Sequence, residues 1–216
     1  MTRTETIKEK IRLDILQGVF PPGEKLTLSF LSKRYESSHM PVREALRALN
    51  GEGLLSFEAN QGATIRAIDA NFIETIFEVR CALEGLTARK ATSQITANEI
   101  SELRHYQGEL EKAALAKDDS EVFKNNRLFH SVIHKASGLA YVSEISQIHS
   151  PLLGSLWTKL GYGAERLQGV VLEHRLMIQL IEERDAYSLE MIARTHVMKT
   201  KVALLAAMKS GALQAA

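Results

Sequence analysis

Apolar residues recur at helical spacing along most of this chain, and the clearest departure from that rhythm lies between Leu54 and Arg66. Ile7, Ile11 and Ile15 mark a first helix from Thr4 to Gln17 that stops at Gly18, and Val19 to Gly23 forms a connecting turn. Thr27 opens a short second helix through Leu28, Leu31 and Tyr35. Ser38 opens a third, with Pro41 in its first turn, where a missing amide proton loses no intrahelical bond. In that third helix Val42, Ala45, Leu46 and Leu49 share one face, while His39, Arg43 and Arg47 recur every fourth residue on the other. Leu54 to Glu58, a turn at Ala59 to Gly62, and Ala63 to Arg66 then read as a β-hairpin, with Gly62 free to take a positive φ at its tip. Two short helices and a hairpin make a winged helix-turn-helix.

Beyond a short junction at Ala67 to Ala70 the pattern is helical throughout. Asp69 caps a helix to about Ala91; Thr96, with Glu99 three residues on, is a capping box for a second helix to about Ala116. A third runs from Asp118 or Asp119 to Ser137-Gly138. A fourth runs from Leu139 to Leu160 with a bend or break at Pro151, and two more span Ala164 to Glu183 and Asp185 to about Lys209. The expected architecture is therefore mainly α: a winged helix-turn-helix in residues 1–68 and an all-α bundle of about six helices in residues 69–216.

Composition narrows the class. The 216 residues are 45% hydrophobic with a formal net charge of +1, enough for a packed core and too balanced for a sequence-blind polycation. The single cysteine, Cys81, excludes an intrachain disulfide and the cysteine-rich zinc sites. No apolar run is long enough to span a bilayer, and the first residues lack the apolar stretch of a signal peptide, so the expected setting is a reducing cytoplasm without membrane contact.

Two groups of side chains carry chemistry. Arg43 and Arg47 on the third helix suit bidentate contact with guanine or phosphate in a major groove. Two arginines on a solvated face can be mere solubilising charge, but the helix pair and the wing around them favour a DNA reader. Ser38, His39 and Met40 at the helix start, with Gln61 and Gly62 at the wing tip, complete the expected contact set. In the bundle, His130, His174 and His196 occupy positions where apolar residues would be expected, on three separate helices. A buried histidine is more often satisfied by a backbone partner, yet three together point to a shared divalent metal, with Asn126 one turn before His130 in reach of it.

The run Pro21-Pro22-Gly23, then Leu26, Leu31, Ser38-x-x-Pro41-Val42-Arg43-Glu44-Ala45-Leu46, Gly53-Leu54-Leu55 and Gly62 resembles the winged helix of GntR-family transcription regulators. The residues after the turn serine depart from the common Arg-Thr, being His39 and Met40, and Glu36 stands where glycine is frequent. Phe129-His130, Glu173-His174-Arg175, Asp185 and His196 are similar to the FCD ligand-binding domain of the FadR-type branch. That resemblance implies that His130, His174 and His196 hold a metal, zinc or nickel, which helps bind a small organic or sugar acid. Asn126 takes the place of a frequent aspartate. Arg80 and Glu84 match an Arg-x-x-x-Glu pattern, and Arg80 is the expected clamp for the acid's carboxylate, although an intrahelical ion pair with Glu84 is an equal reading.

The function expected is a non-enzymatic, ligand-responsive regulator, a repressor that binds a palindromic DNA operator as a homodimer. The alternatives are a regulator whose effector is the metal itself and a metal-dependent hydrolase, which lacks a placed acid or base.

Overall fold

The computed structural model describes residues 2–58, 62–161 and 163–212, and the chain divides into two units, the first ending at Phe72 and the second starting at Ile73. In the first, α1 (Arg3–Leu16) precedes β1 (Lys25–Leu26), α2 (Leu28–Arg34), α3 (His39–Gly51), β2 (Leu55–Glu58) and β3 (Gly62–Ile65). The winged helix-turn-helix is thus formed, with an element that periodicity missed. Two-residue β1 adds to the hairpin, giving an antiparallel sheet in the order β1-β3-β2, with Leu26 opposite Ala63 and Phe57 opposite Ala63 on the other side.

Helix starts follow the sequence closely. Thr27 caps α2 through the amide of Phe30. Thr2 and Glu5 form a reciprocal capping box at α1 that the isoleucine pattern did not reveal. Ser38 occupies the N-cap of α3 but makes no side-chain cap bond there, so its role as a hydrogen-bonding start signal is corrected. The core is built from Ile7, Ile11 and Ile15 of α1 against Val42, Ala45, Leu46 and Leu49 of α3, all buried. Packed among them is a pair the pattern did not foretell: Arg12 donates to both carboxylate oxygens of Glu52, at 2.7 and 2.6 Å.

The turn between α2 and α3 holds Glu36 at φ +49, a left-handed conformation that costs a side chain roughly 1–2 kcal/mol. This is the position at which glycine is frequent in the family it resembles. Glu36→Gly is expected to raise the thermal midpoint by the equivalent of up to about 1 kcal/mol, because relief of strain exceeds the extra chain entropy of glycine. A lowered midpoint would show that the glutamate side chain contributes more than its backbone costs.

The second unit contains α4 (Ala70–Ala91), α5 (Ala97–Ala116), α6 (Asp119–Ala136), α7 (Ala140–Gln147), α8 (Ser150–Leu160), α9 (Ala164–Glu182) and α10 (Ala186–Ala207), extended by a π turn, Met208–Ala212. Among the described residues seven α-helices stand where about six were expected. Pro151 lies in the first turn of α8, so the expected fourth helix is two, parted at His149. The remaining starts hold: Asp69 accepts from the Phe72 amide, Thr96 and Glu99 form their box, and Asp118 and Asp185 accept from Glu121 and Ser188. Gly154 in α8 faces Phe123 of α6 so closely that a Cβ would lie 2.6 Å from the ring, and this approach brings α8 over the inner face of α6. None of the described helices is long and apolar enough to cross a membrane.

Candidate functional site

The outer face of α3 is open. His39, Met40, Arg43 and Arg47 are all exposed, opposite the buried Val42-Ala45-Leu46-Leu49 stripe. Arg47 donates to Glu44 at 3.1 Å in a solvated pair that is worth little and easily exchanged; Arg43 has no partner among the described residues. The absent side-chain cap leaves the Ser38 hydroxyl and the first amides of α3 available to an anion. Gln61 lies outside the described residues; Gly62 begins β3 opposite Glu58.

In the second unit α6, α9 and α10 bring His130, His174 and His196 together, all buried, with one ring nitrogen of each within 4.8 Å of the others. Their outer nitrogens are held by acceptors. Gln107 donates its Nε2 to Glu111 and Val171 O, so its Oε1 must face His174, whose Nδ1 donates to it at 3.0 Å. His196 Nδ1 donates to Glu173 Oε2 at 2.8 Å, and His130 Nδ1 lies 3.4 Å from Glu84 Oε2. With the proton fixed outside, His174 Nε2 and His196 Nε2 present lone pairs inward. His196 Nε2 lies 3.3 Å from His130 Nε2, and His174 Nε2 is buried without a partner. Phe129 stacks on His174 at 4.0 Å and fixes the plane of that ring.

Inward lone pairs with carboxylate or amide support behind them are what a metal-binding histidine cluster requires. Two nitrogens on a tetrahedral zinc ion lie about 3.3 Å apart, given zinc–nitrogen bonds of about 2.0–2.1 Å, which agrees with the His130–His196 spacing. Asn126 Oδ1 is likewise buried without a partner. The residues present therefore fit a divalent ion. His174 and His196 are also held in the neutral state that a ligand requires. Burial, then the neighbouring His196 and His130, hold His174 well below the ordinary histidine range; burial pushes His196 down to about 4 even though Glu173 opposes it. Burial alone would raise Glu84 and Glu173, but their histidine, arginine and lysine partners overcome it and both are lowered.

A cavity of about 50 Å³ opens beside the cluster, lined by His130 and His196 but not by His174. Arg80 lines it, with Nη1 donating to Ser146 O at 3.3 Å and Nη2 to Glu84 at 3.4 Å, so the clamp position and the intrahelical pair are both realised, each with a long bond. His134, one turn after His130, is buried in the wall with Nε2 2.8 Å from Glu84. Its Nδ1 and the Ser146 hydroxyl, like Asn126 Oδ1, are unpaired buried atoms of that wall. Sequence reasoning missed Gln107 and Arg166, which carry no local signal. Glu84, visible in sequence as a partner for Arg80, and Glu173, visible in the Glu173-His174-Arg175 segment, both prove to lie in hydrogen-bond contact with histidine ring nitrogens.

Known proteins agree with this division. Residues 3–65 match the family described as bacterial regulatory proteins, gntR family, and residues 75–199 match the FCD domain. The chain is 25% identical over 185 residues to the uncharacterized HTH-type transcriptional regulator YdhC of Bacillus subtilis, covering 85% of this chain and 81% of that one. It is 25% identical over 182 residues to the gluconate operon transcriptional repressor of the same organism, covering 82% and 74%. Among solved structures, Escherichia coli McbR/YncC has the same fold, with a TM-score of 0.72 at 22% identity over 97% of this chain and 99% of that one.

Proposed function

Because the chain belongs to the FCD-domain class of gntR-type bacterial transcription regulators, we propose that it is a repressor binding a palindromic operator as a homodimer, with a small carboxylate effector seated beside a divalent metal. It is a regulator and not an enzyme, as its family and relatives are. Two copies follow from the size of one winged helix, which reaches few bases; a two-fold pair doubles the contacts and sets the half-site spacing. Ser38, His39, Met40, Arg43 and Arg47 are the proposed contacts from α3, with the wing tip at Gln61 and Gly62. A relative named as the repressor of a gluconate operon supports both the sign of regulation and an acid as effector.

The observation that carries the effector reading is the clustering of His130, His174 and His196, two of which, His130 and His196, line a cavity whose wall also holds Arg80 and unpaired polar atoms. Zinc or nickel, when bound, would attract a carboxylate oxygen as a Lewis acid. Arg80 and Ser146 would orient the other end of that carboxylate. About 50 Å³ admits a few heavy atoms, so a two- or three-carbon acid enters as the walls stand, and a sugar acid needs the α7–α8 wall to shift. The acid acts on DNA binding only as far as it prefers one of two arrangements of the dimer.

The test is thermal unfolding of the full chain against organic and sugar acids, with and without zinc or nickel. One acid is expected to raise the midpoint in a metal-dependent way, by the equivalent of about 2.7 kcal/mol at a hundredfold excess over Kd, and to weaken binding to an operator selected from random duplexes. His174→Ala should abolish the shift. A midpoint unmoved by every acid and metal would reduce the histidines to structural roles. A shift by metal alone, with loss of DNA binding, would favour the metal itself as the effector.

A further inference from the structure

A ligating imidazole is neutral, and Asn126, whose unpartnered Oδ1 belongs to a residue lining the cavity beside His130 and His196, is a neutral amide. Among the described residues no carboxylate joins the three histidines as a possible ligand. The carboxylates behind the rings do not supply the missing charge either. Glu84 is paired with Arg80, and Glu173 takes Arg166 at 2.8 Å and Lys199 at 3.0 Å while accepting from His196. Among the described residues in contact with the rings or their carboxylates, two acids therefore face three fixed cations, and His134 can only add to the positive side. Arg127 brings a further cation to the cavity wall.

A divalent charge placed in such a buried, non-anionic setting is strongly opposed by desolvation unless an anion arrives with it. The cavity opens directly beside the rings and is lined by Arg80, Arg127 and the unpaired Ser146 hydroxyl. On the reading of this site as a metal centre with an acid beside it, we propose that metal and carboxylate enter as a cooperative pair, the acid supplying the anionic ligand that Asn126 does not. Each binds weakly alone. Linkage makes the effect reciprocal, so the acid tightens the metal by the factor by which the metal tightens the acid. The regulator then answers to the simultaneous presence of both, and neither a metal excess nor an acid excess alone moves it.

The experiment uses the full chain stripped of metal by a chelator. Zinc is titrated in competition with a metal-binding indicator, in chloride and in saturating acetate at equal ionic strength. Acetate is expected to lower the apparent zinc Kd at least about tenfold, within the range of ordinary site–site coupling, and zinc should lower the acetate Kd equally. Asn126→Asp supplies the missing charge on nearly the same side-chain shape. It should bind zinc in chloride about as tightly as the natural chain does in acetate, and lose most of the acetate dependence. Equal zinc affinity in the two buffers, or an Asn126→Asp variant with undiminished acetate dependence, would overturn the pairing while leaving a metal centre in place. Zinc bound by neither protein in either buffer would remove the metal reading itself and the pairing with it.

Discussion

Glu52→Ala is expected to destabilise the DNA-binding unit by about 3–5 kcal/mol, the cost of leaving one partner of a buried ion pair without the other. The Arg12 side chain is 3% exposed and spends three hydrogen bonds on Glu52; what remains to it is the half-exposed Glu9. Arg12 lies in α1 and Glu52 is the C-cap of α3, so the pair ties the end of the DNA-reading helix to the first helix of the chain. Amide exchange at Ile11 and Leu46 measures the opening of this core directly. It should accelerate more than about a hundredfold, since each 1.4 kcal/mol is a factor of ten. Replacing both partners with methionine removes the stranded charge and should recover most of the loss, as apolar substitutes for buried pairs commonly do. A Glu52→Ala variant within about 1 kcal/mol of the natural chain would mean that water reaches Arg12 and the pair is not an energetic tie.

That pair also marks where the sequence stopped being legible. Although Thr2 before α1 was missed, most helix starts that depend on a residue and the amide three positions later could be read along the chain, as Thr27, Asp69, Thr96 and Asp185 were. So could the two faces of α3, because a helix repeats its own surface. Arg12 carries no such signal, since nothing within a turn or two of it indicates the carboxylate forty positions away. Strand β1 escaped for a related reason: two residues carry no alternation, and the strand exists only because β3 offers it a backbone edge.

The histidine cluster divides in the same manner. Three polar residues on apolar faces announced that they point inward, and they do. What fixes their tautomers comes from elsewhere in the fold: Gln107 from α5 for His174 and Glu84 from α4 for His130. Arg166, seven residues before Glu173, reaches it across two turns of α9 and also caps the carbonyl of His196 at 3.2 Å. Helical periodicity assigns a residue to a face but not to a partner, so the inward-facing histidines were readable and their supports were not.

Those supports set how the metal-free protein should respond to acid. His174 is held well below the ordinary histidine range and His196 at about 4, whereas both titrate near 6.5 in the unfolded chain. Between pH 6.5 and 4 the unfolded state therefore binds more protons than the folded one, and stability falls as pH falls. Each histidine contributes a slope of up to about 1.4 kcal/mol per pH unit, so the pair gives about 2.7 in the steepest part. Glu84 and Glu173, both lowered in the fold, have the same sign but act below the ordinary glutamate range, and they prolong the decline once the histidines have begun it. The thermal midpoint of chelator-treated protein should be nearly level above pH 7 and drop steadily towards pH 4. His174→Gln, which keeps a polar group but cannot titrate, should remove about one proton from the slope. Saturating zinc should raise the midpoint and leave the slope from these two rings unchanged down to about pH 4, because in the fold they have no proton to give up to the ion. A midpoint level from pH 7 to 5 without metal would mean that water or an alternative ring orientation lets the cluster accept protons in the folded state, and the rings would then not be held ready for an ion.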